Sequence, residues 1–145
     1  MVDYDSDLIG RVFAAKNPVL VTAEMIANFC YAIGDTNPLH TDVEAARSSP
    51  YGGLVAPPSF AGSFRYLEDI FDHLRASPRL AAGMDVDFVA PIRAGDSIWV
   101  ASQVSQIYEK TGRSGPMVFI VISSTLTNQN GEAVARIDHR FMSRP

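Results

Sequence analysis

Along the chain, the spacing of hydrophobic and polar positions changes period, and each period predicts a different element. Residues 10–21 hold short apolar pieces around Pro18, which predict one or two edge strands. Apolar residues then recur at helical spacing as far as Ile33. Thr22 is the predicted N-cap of this helix, and Gly34 is its predicted stop.

A second apolar stripe of helical period lies further on, where hydrophobic residues step by four and three positions. Its members are Phe60, Phe64, Leu67, Phe71 and Leu74. This spacing predicts one continuous helix from about Ser59 to Arg75, with Pro58 suited to its first turn. Between the two helical patterns, residues 34–58 have no period and are broken by prolines and glycines. That segment predicts a long irregular loop with a short helix from about Asp42 to Arg47.

After residue 80 the pattern changes to strands separated by turn residues. The predicted strands cover residues 84–88, 98–107, 118–127 and 133–142, and Asn130-Gly131 predicts a hairpin between the last two. A long apolar helix needs a surface to bury it. The order of elements therefore predicts an α+β fold, in which a curved antiparallel sheet wraps a long central helix. Residues 1–145 fit a single domain.

Composition narrows the class of function. The net charge of −4 argues against nucleic-acid binding, which requires clustered Lys and Arg. No apolar run approaches the length of a membrane helix, and the acidic start of the chain does not resemble a signal peptide. The one cysteine, Cys30, falls in an apolar helical pattern and is interpreted as a packed residue. A cytoplasmic protein is expected.

The residues with the clearest chemical content follow the first helix, in the order Gly34-Asp35-Thr36-Asn37-Pro38-Leu39-His40. Pro38 prevents the helix from continuing, and a bent connection can bring the side chains of Asp35 and His40 to one point. From the residues alone, turn formation and acid–base catalysis explain this segment equally well. One histidine and two carboxylates at irregular spacing are a weak metal pattern, so no metal is expected.

The segment resembles the signature of the MaoC-like (R)-specific enoyl-CoA hydratases and 3-hydroxyacyl dehydratases. The matching residues are Tyr31, Gly34, Asp35, Asn37, Pro38, Leu39, His40, Asp42 and Ala45. The later stretches YGGLVAPPSF, FVAPIRAGDSIWV and LTNQNGEAVA extend the resemblance over nearly the whole chain, the first pointing to the FAS-type dehydratase branch. The resemblance implies a hot-dog fold and an acyl thioester substrate on coenzyme A or acyl carrier protein. It implies no metal or redox cofactor.

The resemblance also implies roles for residues. Asp35 orients and deprotonates a water, His40 transfers a proton, and Asn37 supports the loop. The start of the central helix is expected to bind the thioester carbonyl. There the chain departs from bacterial hydratases with a His-Gly pair, because Ala56-Pro57-Pro58-Ser59 lacks N–H groups at both prolines. The expected donors are therefore the N–H groups of Ala56, Ser59 or Phe60, or the Ser59 hydroxyl.

Three functions remain open at this point. The first is hydration of trans-2-enoyl thioesters by a homodimer or a hot-dog heterodimer. The second is a non-catalytic or co-catalytic subunit that shapes the acyl pocket of a heteromeric dehydratase. The third, thioester hydrolysis, is disfavoured by the Asp-x-Asn-Pro-x-His pattern.

Of the other histidines, His73 is expected on a solvated face, and His139 is expected to be buried with a hydrogen-bond partner.

Overall fold

The computed structural model describes residues 3–65, 67–74 and 79–144, which form a curved antiparallel sheet and several short helices. The strands are β1 (Val12–Ala14), β2 (Val19–Leu20), β3 (Arg79–Phe88), β4 (Ser97–Gly112), β5 (Gly115–Thr127) and β6 (Ala133–Ser143). The α-helices are α1 (Ala23–Ile33), α2 (Pro38–Thr41), α3 (Val43–Arg47) and α4 (Glu68–Asp72), and a 3₁₀ helix spans Pro58–Ser63.

The sheet has six strands in the order β1-β4-β5-β6-β3, with β2 also paired to β4. Consecutive hairpins join β4, β5 and β6, and all strand pairs are antiparallel. The register shifts between Val104 and Gln106 and again between Ala81 and Gly83. Such bulges bend a strand and increase its twist, which lets these long strands curve around the helical segments. The four predicted strands and the Asn130-Gly131 turn are confirmed, with Gly131 at a φ of 74°, although β3 pairs with β6 and not with β4.

Two apolar clusters fill the concave side of the sheet. The first joins α1 and the 3₁₀ helix to the ends of β4, β5 and β6, through residues such as Ile26, Phe60 and Ile137. The second joins α4 to the middle of the sheet, through Ile70 and Ile122 among others. Because the two clusters lie under different helical segments, each half of the sheet has its own cover.

The expectation of one continuous helix from Ser59 to Arg75 is wrong. The chain forms the 3₁₀ helix, leaves helical geometry at Phe64 (φ −81°, ψ 114°), and resumes a helix only at Glu68. Gly62 is a poor helix former, and the Ser63 hydroxyl donates to the carbonyl of Phe60 instead of leaving it to an i+4 amide. Three residues of the apolar stripe are buried and two, Leu67 and Phe71, are partly buried, and the five are divided between the two clusters. Arg75 lies outside the described residues.

Local signals at the first helix are confirmed. The Thr22 hydroxyl accepts a hydrogen bond from the Met25 N–H at 3.1 Å, and Gly34 adopts the left-handed conformation that ends α1. Cys30 is a free, buried residue within this helix. His73 is less solvated than expected: its side chain is 29% exposed, and its Nδ1 lies 2.7 Å from a carboxylate oxygen of Asp5.

His139 is buried, as predicted, with 7% of its surface exposed. Its ring forms a hydrogen bond with the backbone of Gly62, but its Nδ1 has no partner among the described residues. Burial, and secondarily the positive charge of Arg65, lower the pKa of His139. The hydrogen bond to Gly62 and the carboxylate of Asp138 oppose that shift.

A core substitution tests the packing. Leu126→Ala removes a fully buried side chain from the first cluster and should lower the free energy of unfolding by about 2–5 kcal/mol. Leu20→Ala deletes the same atoms at a site that is 57% exposed and should change it by less than about 1 kcal/mol. Urea denaturation followed by tryptophan fluorescence measures both. Equal losses would contradict the core assignment.

The lowered pKa of His139 predicts a pH dependence of stability. The unfolded chain binds this proton at higher pH than the folded chain does, so acidification below about pH 6.5 should lower the free energy of unfolding. The contribution is fully present above that pH. His139→Asn should show a smaller decrease than the wild type when denaturation curves are measured from about pH 7.5 to 5.5. An unchanged decrease would show that other groups cause it.

Candidate active site

The segment after α1 is held in a defined bend by its own polar groups. Gly34 turns the chain at a φ of 71°, and the Asp35 N–H donates to the Cys30 carbonyl at 2.9 Å. One carboxylate oxygen of Asp35 then accepts the N–H of Asn37 at 2.9 Å. This Asx turn uses only one face of the Asp35 carboxylate. Asp35 itself is half-buried.

Asn37 starts α2 and thereby places the histidine. Its side-chain oxygen accepts the N–H of Leu39 at 3.1 Å, which is a typical N-cap bond, and Pro38 occupies the first helical position. His40 consequently faces the protein interior from the third residue of the turn and is only 9% exposed. Asp42 then caps α3 by accepting the N–H groups of Glu44 and Ala45.

The imidazole of His40 is fixed by a backbone carbonyl. Its Nδ1 lies 2.8 Å from the oxygen of Val55. Since a carbonyl only accepts hydrogen bonds, neutral His40 carries its proton on Nδ1 and leaves the Nε2 lone pair available. Val55 is itself held from two sides, because its N–H donates to the Leu39 carbonyl at 3.2 Å and its backbone pairs with that of Arg93.

A cleft of about 430 Å³ adjoins this histidine. Its walls come from the 55–58 segment, from Ala61 of the 3₁₀ helix, from Phe88 and Val89 at the end of β3, and from the start of β6. His40 and Tyr51 are the residues with titratable side chains among those that line it. An apolar cleft with one oriented imidazole is typical of a site for a largely hydrophobic substrate.

Comparison with known proteins gives this geometry a context. The family described as "FAS1-like, dehydratase domain region" matches residues 7–137. The chain belongs to this FAS1-like dehydratase family. Among its relatives are UPF0336 proteins of Streptomyces coelicolor, 32% identical over 97% of this chain and 95% of the relative, and of Parafrankia sp., 33% identical over 97% and 94%.

Solved structures show the same fold. The 3R-hydroxyacyl-ACP dehydratase complex HadBC of Mycobacterium tuberculosis superposes with a TM-score of 0.82 at 24% identity, over 95% of this chain and 98% of that chain. A MaoC-like dehydratase of Rhodospirillum rubrum superposes with a TM-score of 0.71 at 30% identity, over 98% of both chains. The predicted hot-dog fold and the MaoC-like resemblance are thus confirmed.

In this FAS1-like dehydratase chain, the expected carbonyl donors differ in availability. The Ala56 N–H already donates to Ile92 at 2.8 Å, and the Phe60 N–H donates to Pro57 at 2.9 Å. Phe60 is also buried in the core, with its ring edge-on to Phe29. The first N–H groups of a 3₁₀ helix have no acceptor within it, and Pro57 and Pro58 have no N–H. Ser59 is thus the first residue of this turn with an N–H to offer, and it is exposed.

The structure brings some predicted site residues together and leaves others apart. His40 and Ala56 both line the cleft, whereas Asp35, Asn37 and Ser59 are not part of its wall. Asp35 is connected to His40 through Cys30. The Cys30 thiol lies 3.9 Å from the His40 carbonyl, and burial together with the nearby Asp35 carboxylate raises the pKa of that thiol. The two candidate catalytic residues therefore flank one buried cysteine.

Two residues of the candidate site were not predicted from the sequence. The carbonyl of Val55 orients His40, but any residue supplies a carbonyl, so no sequence signal marks it. Tyr51, which lines the cleft, follows Pro50 and precedes two glycines in the long loop. An aromatic residue in such a structured loop is a recognisable signal for a binding role.

Within the described residues, no group of three or more His, Cys, Asp or Glu is arranged to hold a metal ion, and no helix is long and apolar enough to cross a membrane.

The hydrogen bond to Val55 predicts the tautomer of His40. Long-range ¹⁵N–¹H correlation spectra of the imidazoles at neutral pH should show the neutral His40 ring protonated on Nδ1, with Nε2 unprotonated. The same spectra contain the ring of His73, whose Nδ1 lies beside a carboxylate oxygen instead of a carbonyl, and its nitrogen signals can be compared with those of His40. A His40 ring protonated on Nε2 would contradict the orientation described above.

Proposed function

We propose that this chain is a hydratase/dehydratase that interconverts trans-2-enoyl thioesters and (R)-3-hydroxyacyl thioesters. The observation that carries the proposal is the buried His40, whose Nδ1 is bound to Val55 and whose Nε2 is left for proton transfer beside an apolar cleft. The dehydratase family and the structural neighbours supply the reaction class. The Asp-x-Asn-Pro-x-His motif supplies the residues.

The proposed chemistry uses His40, which lines the cleft, together with Asp35, which is not part of the cleft wall. In hydration, a water oxygen forms a bond to the β-carbon of the enoyl group while a proton is added to the α-carbon. The free oxygen of the Asp35 carboxylate accepts a hydrogen bond from the water and acts as base, and His40 exchanges a proton through Nε2. In the reverse direction the same groups remove the α-proton and release the β-hydroxyl as water. No electrons are transferred, so the reaction as proposed requires no redox cofactor.

The negative charge that develops on the thioester carbonyl oxygen must be stabilised by a hydrogen-bond donor. Because Ala56 and Phe60 have committed their N–H groups, we assign this role to Ser59, through its N–H or its hydroxyl. The substrate then enters with its carbonyl toward the start of the 3₁₀ helix and its reacting carbons toward His40. The apolar wall beyond, which includes Ala61 and Val89, receives the acyl chain.

The active form is proposed to be a dimer of hot-dog subunits in the cytoplasm, either with a second copy or with a related chain. Strand β3 lies at the edge of the sheet and exposes Leu80, Met84 and Phe88. Phe88 also lines the cleft, so a subunit paired along β3 would cover this edge and adjoin the site. HadBC and the ChsH1-ChsH2 complex of M. tuberculosis are heteromeric examples with the same fold.

A second function is favoured by two specific observations. Asp35 is not part of the cleft wall, and Pro57 and Pro58 remove two donors from the start of the 3₁₀ helix. In this alternative, the chain is a non-catalytic or co-catalytic subunit that shapes the acyl pocket of a heteromeric dehydratase. The purified chain would then hydrate enoyl thioesters only with its partner present.

Substitution of the two candidate catalytic residues tests the first function. Asp35→Asn and His40→Ala should each lower kcat for hydration of short and medium enoyl-CoA esters by about 10²–10⁴-fold, because each removes a proton-transfer or water-orienting group. Loss of absorbance of the conjugated thioester follows the reaction. Circular dichroism checks that each variant retains the fold.

Matched variants control for general effects of charge and fold. Asp7→Asn removes a carboxylate that is largely exposed, and His73→Ala removes the imidazole beside Asp5 in the other half of the molecule. Both should retain most of the activity. A wild-type chain that is inactive alone but active with a hot-dog partner would support the alternative, and release of free coenzyme A would indicate hydrolysis instead.

A further inference from the structure

Arg93 is a cation that contacts residues of the cleft lining without being part of it. The residues that line the cleft include no lysine, arginine, aspartate or glutamate. Arg93 directly follows Pro91 and Ile92 of the lining, and its backbone pairs with Val55, which holds His40. The arginine is therefore anchored on the same backbone ladder as the candidate catalytic histidine, but its side chain is exposed.

The Arg93 side chain is positioned by Tyr51. Its Nη1 donates to the Tyr51 carbonyl, and its guanidinium carbon lies 6.0 Å from the centre of the Tyr51 ring. Tyr51 lines the cleft, so these contacts hold the guanidinium against one of the residues of the cleft lining. The backbone of Arg93 is fixed as well, because its N–H donates to the Asp96 carboxylate at 2.8 Å. A guanidinium has five N–H donors, and one bond to Tyr51 leaves most of them for a ligand.

The carboxylate that accepts the Arg93 backbone N–H has donors other than the guanidinium for both of its oxygens. Asp96 is 6% exposed, and its two oxygens accept hydrogen bonds from the Arg93 backbone N–H and from the Gln129 side chain. By contrast, Arg47, the last residue of α3, is paired with Glu44 at 3.0 Å. Arg93 thus presents a planar, permanently charged donor group whose geometry suits phosphate oxygens.

We propose that Arg93, held by Tyr51, binds the phosphate group of the phosphopantetheine arm that carries the acyl thioester. The inference rests on the proposed function, since it assumes that a thioester occupies the cleft. With the thioester carbonyl at the start of the 3₁₀ helix, the carrier leaves the cleft across its rim, where Arg93 stands. The phosphate is common to coenzyme A and to acyl carrier protein, so the site recognises the arm and not one particular carrier.

The test compares thioesters of the same acyl group that differ only in the carrier: pantetheine without phosphate, 4′-phosphopantetheine, coenzyme A and acyl carrier protein. Arg93→Ala should raise KM for the phosphopantetheine thioester about tenfold with little change in kcat, which is the size expected for one charge-assisted contact. The pantetheine thioester should be unaffected. Arg93→Lys, which keeps the charge but loses the planar fork, should fall between the two.

Arg136→Ala is the matched control. Arg136 is an exposed arginine of β6 whose neighbours Ala135 and Ile137 are buried, so its side chain lies on the opposite face of the strand from the cleft. This variant loses the same charge and should leave KM for every thioester unchanged. Thermal unfolding of the Arg93 variants checks that the loop remains folded.

A loss in Arg93→Ala that is equally large for the pantetheine thioester would overturn the proposal, as would a loss confined to coenzyme A. A loss shared by phosphopantetheine, coenzyme A and acyl carrier protein supports it, and the relative KM values of the last two show which source the protein prefers. Calorimetric titration with 4′-phosphopantetheine and with pantetheine reads the same difference without turnover. An inactive chain that still distinguishes these two compounds through Arg93 would count against the hydratase and not against the phosphate site.

Discussion

The hydrogen bond between the His40 imidazole and the Val55 carbonyl is the contact on which the site depends. It joins the short helix after α1 to the 54–56 segment, which in turn pairs with residues 92–94 before β4. Three parts of the chain that are distant in sequence are thereby held in register around one imidazole. Because a buried histidine without a partner is costly, the bond also fixes how the loop closes on the sheet. The hydrogen bond that orients the candidate catalytic imidazole is therefore also one that holds the loop in its folded position.

The polar side chains of the loop after α1 form hydrogen bonds with its own backbone. Asp35, Asn37 and Asp42 each accept backbone N–H groups, and these local bonds replace the helix ladder that Pro38 interrupts. Only one face of the Asp35 carboxylate is engaged in this way. The segment that resembles a catalytic signature is therefore also a sequence of caps, which explains why turn formation and catalysis were equally good interpretations of it before the fold was known.

The sequence predicted most of the fold because its periodic signals were strong. Strand alternation, the Asn130-Gly131 turn, the Thr22 cap and the Gly34 stop were local features, and each is found where it was expected. The central helix was overextended because a stripe at helical spacing reports which residues are buried, not whether the backbone between them is continuous. For the site, the motif identified His40, but the donor bonds of Ala56 and Phe60 depend on tertiary pairing that no local pattern encodes. His73 was misjudged for the same reason, since its partner, Asp5, is far away in sequence.

The interruption between the 3₁₀ helix and α4 has a mechanical consequence. Ala61, which belongs to the 3₁₀ helix, forms part of the cleft wall, whereas α4 covers the second apolar cluster. A continuous helix would couple the two rigidly, because bending it breaks i→i+4 bonds. Here the backbone leaves helical geometry at Phe64, so the segment that forms part of the cleft wall and the segment that covers the second cluster are packed as separate units.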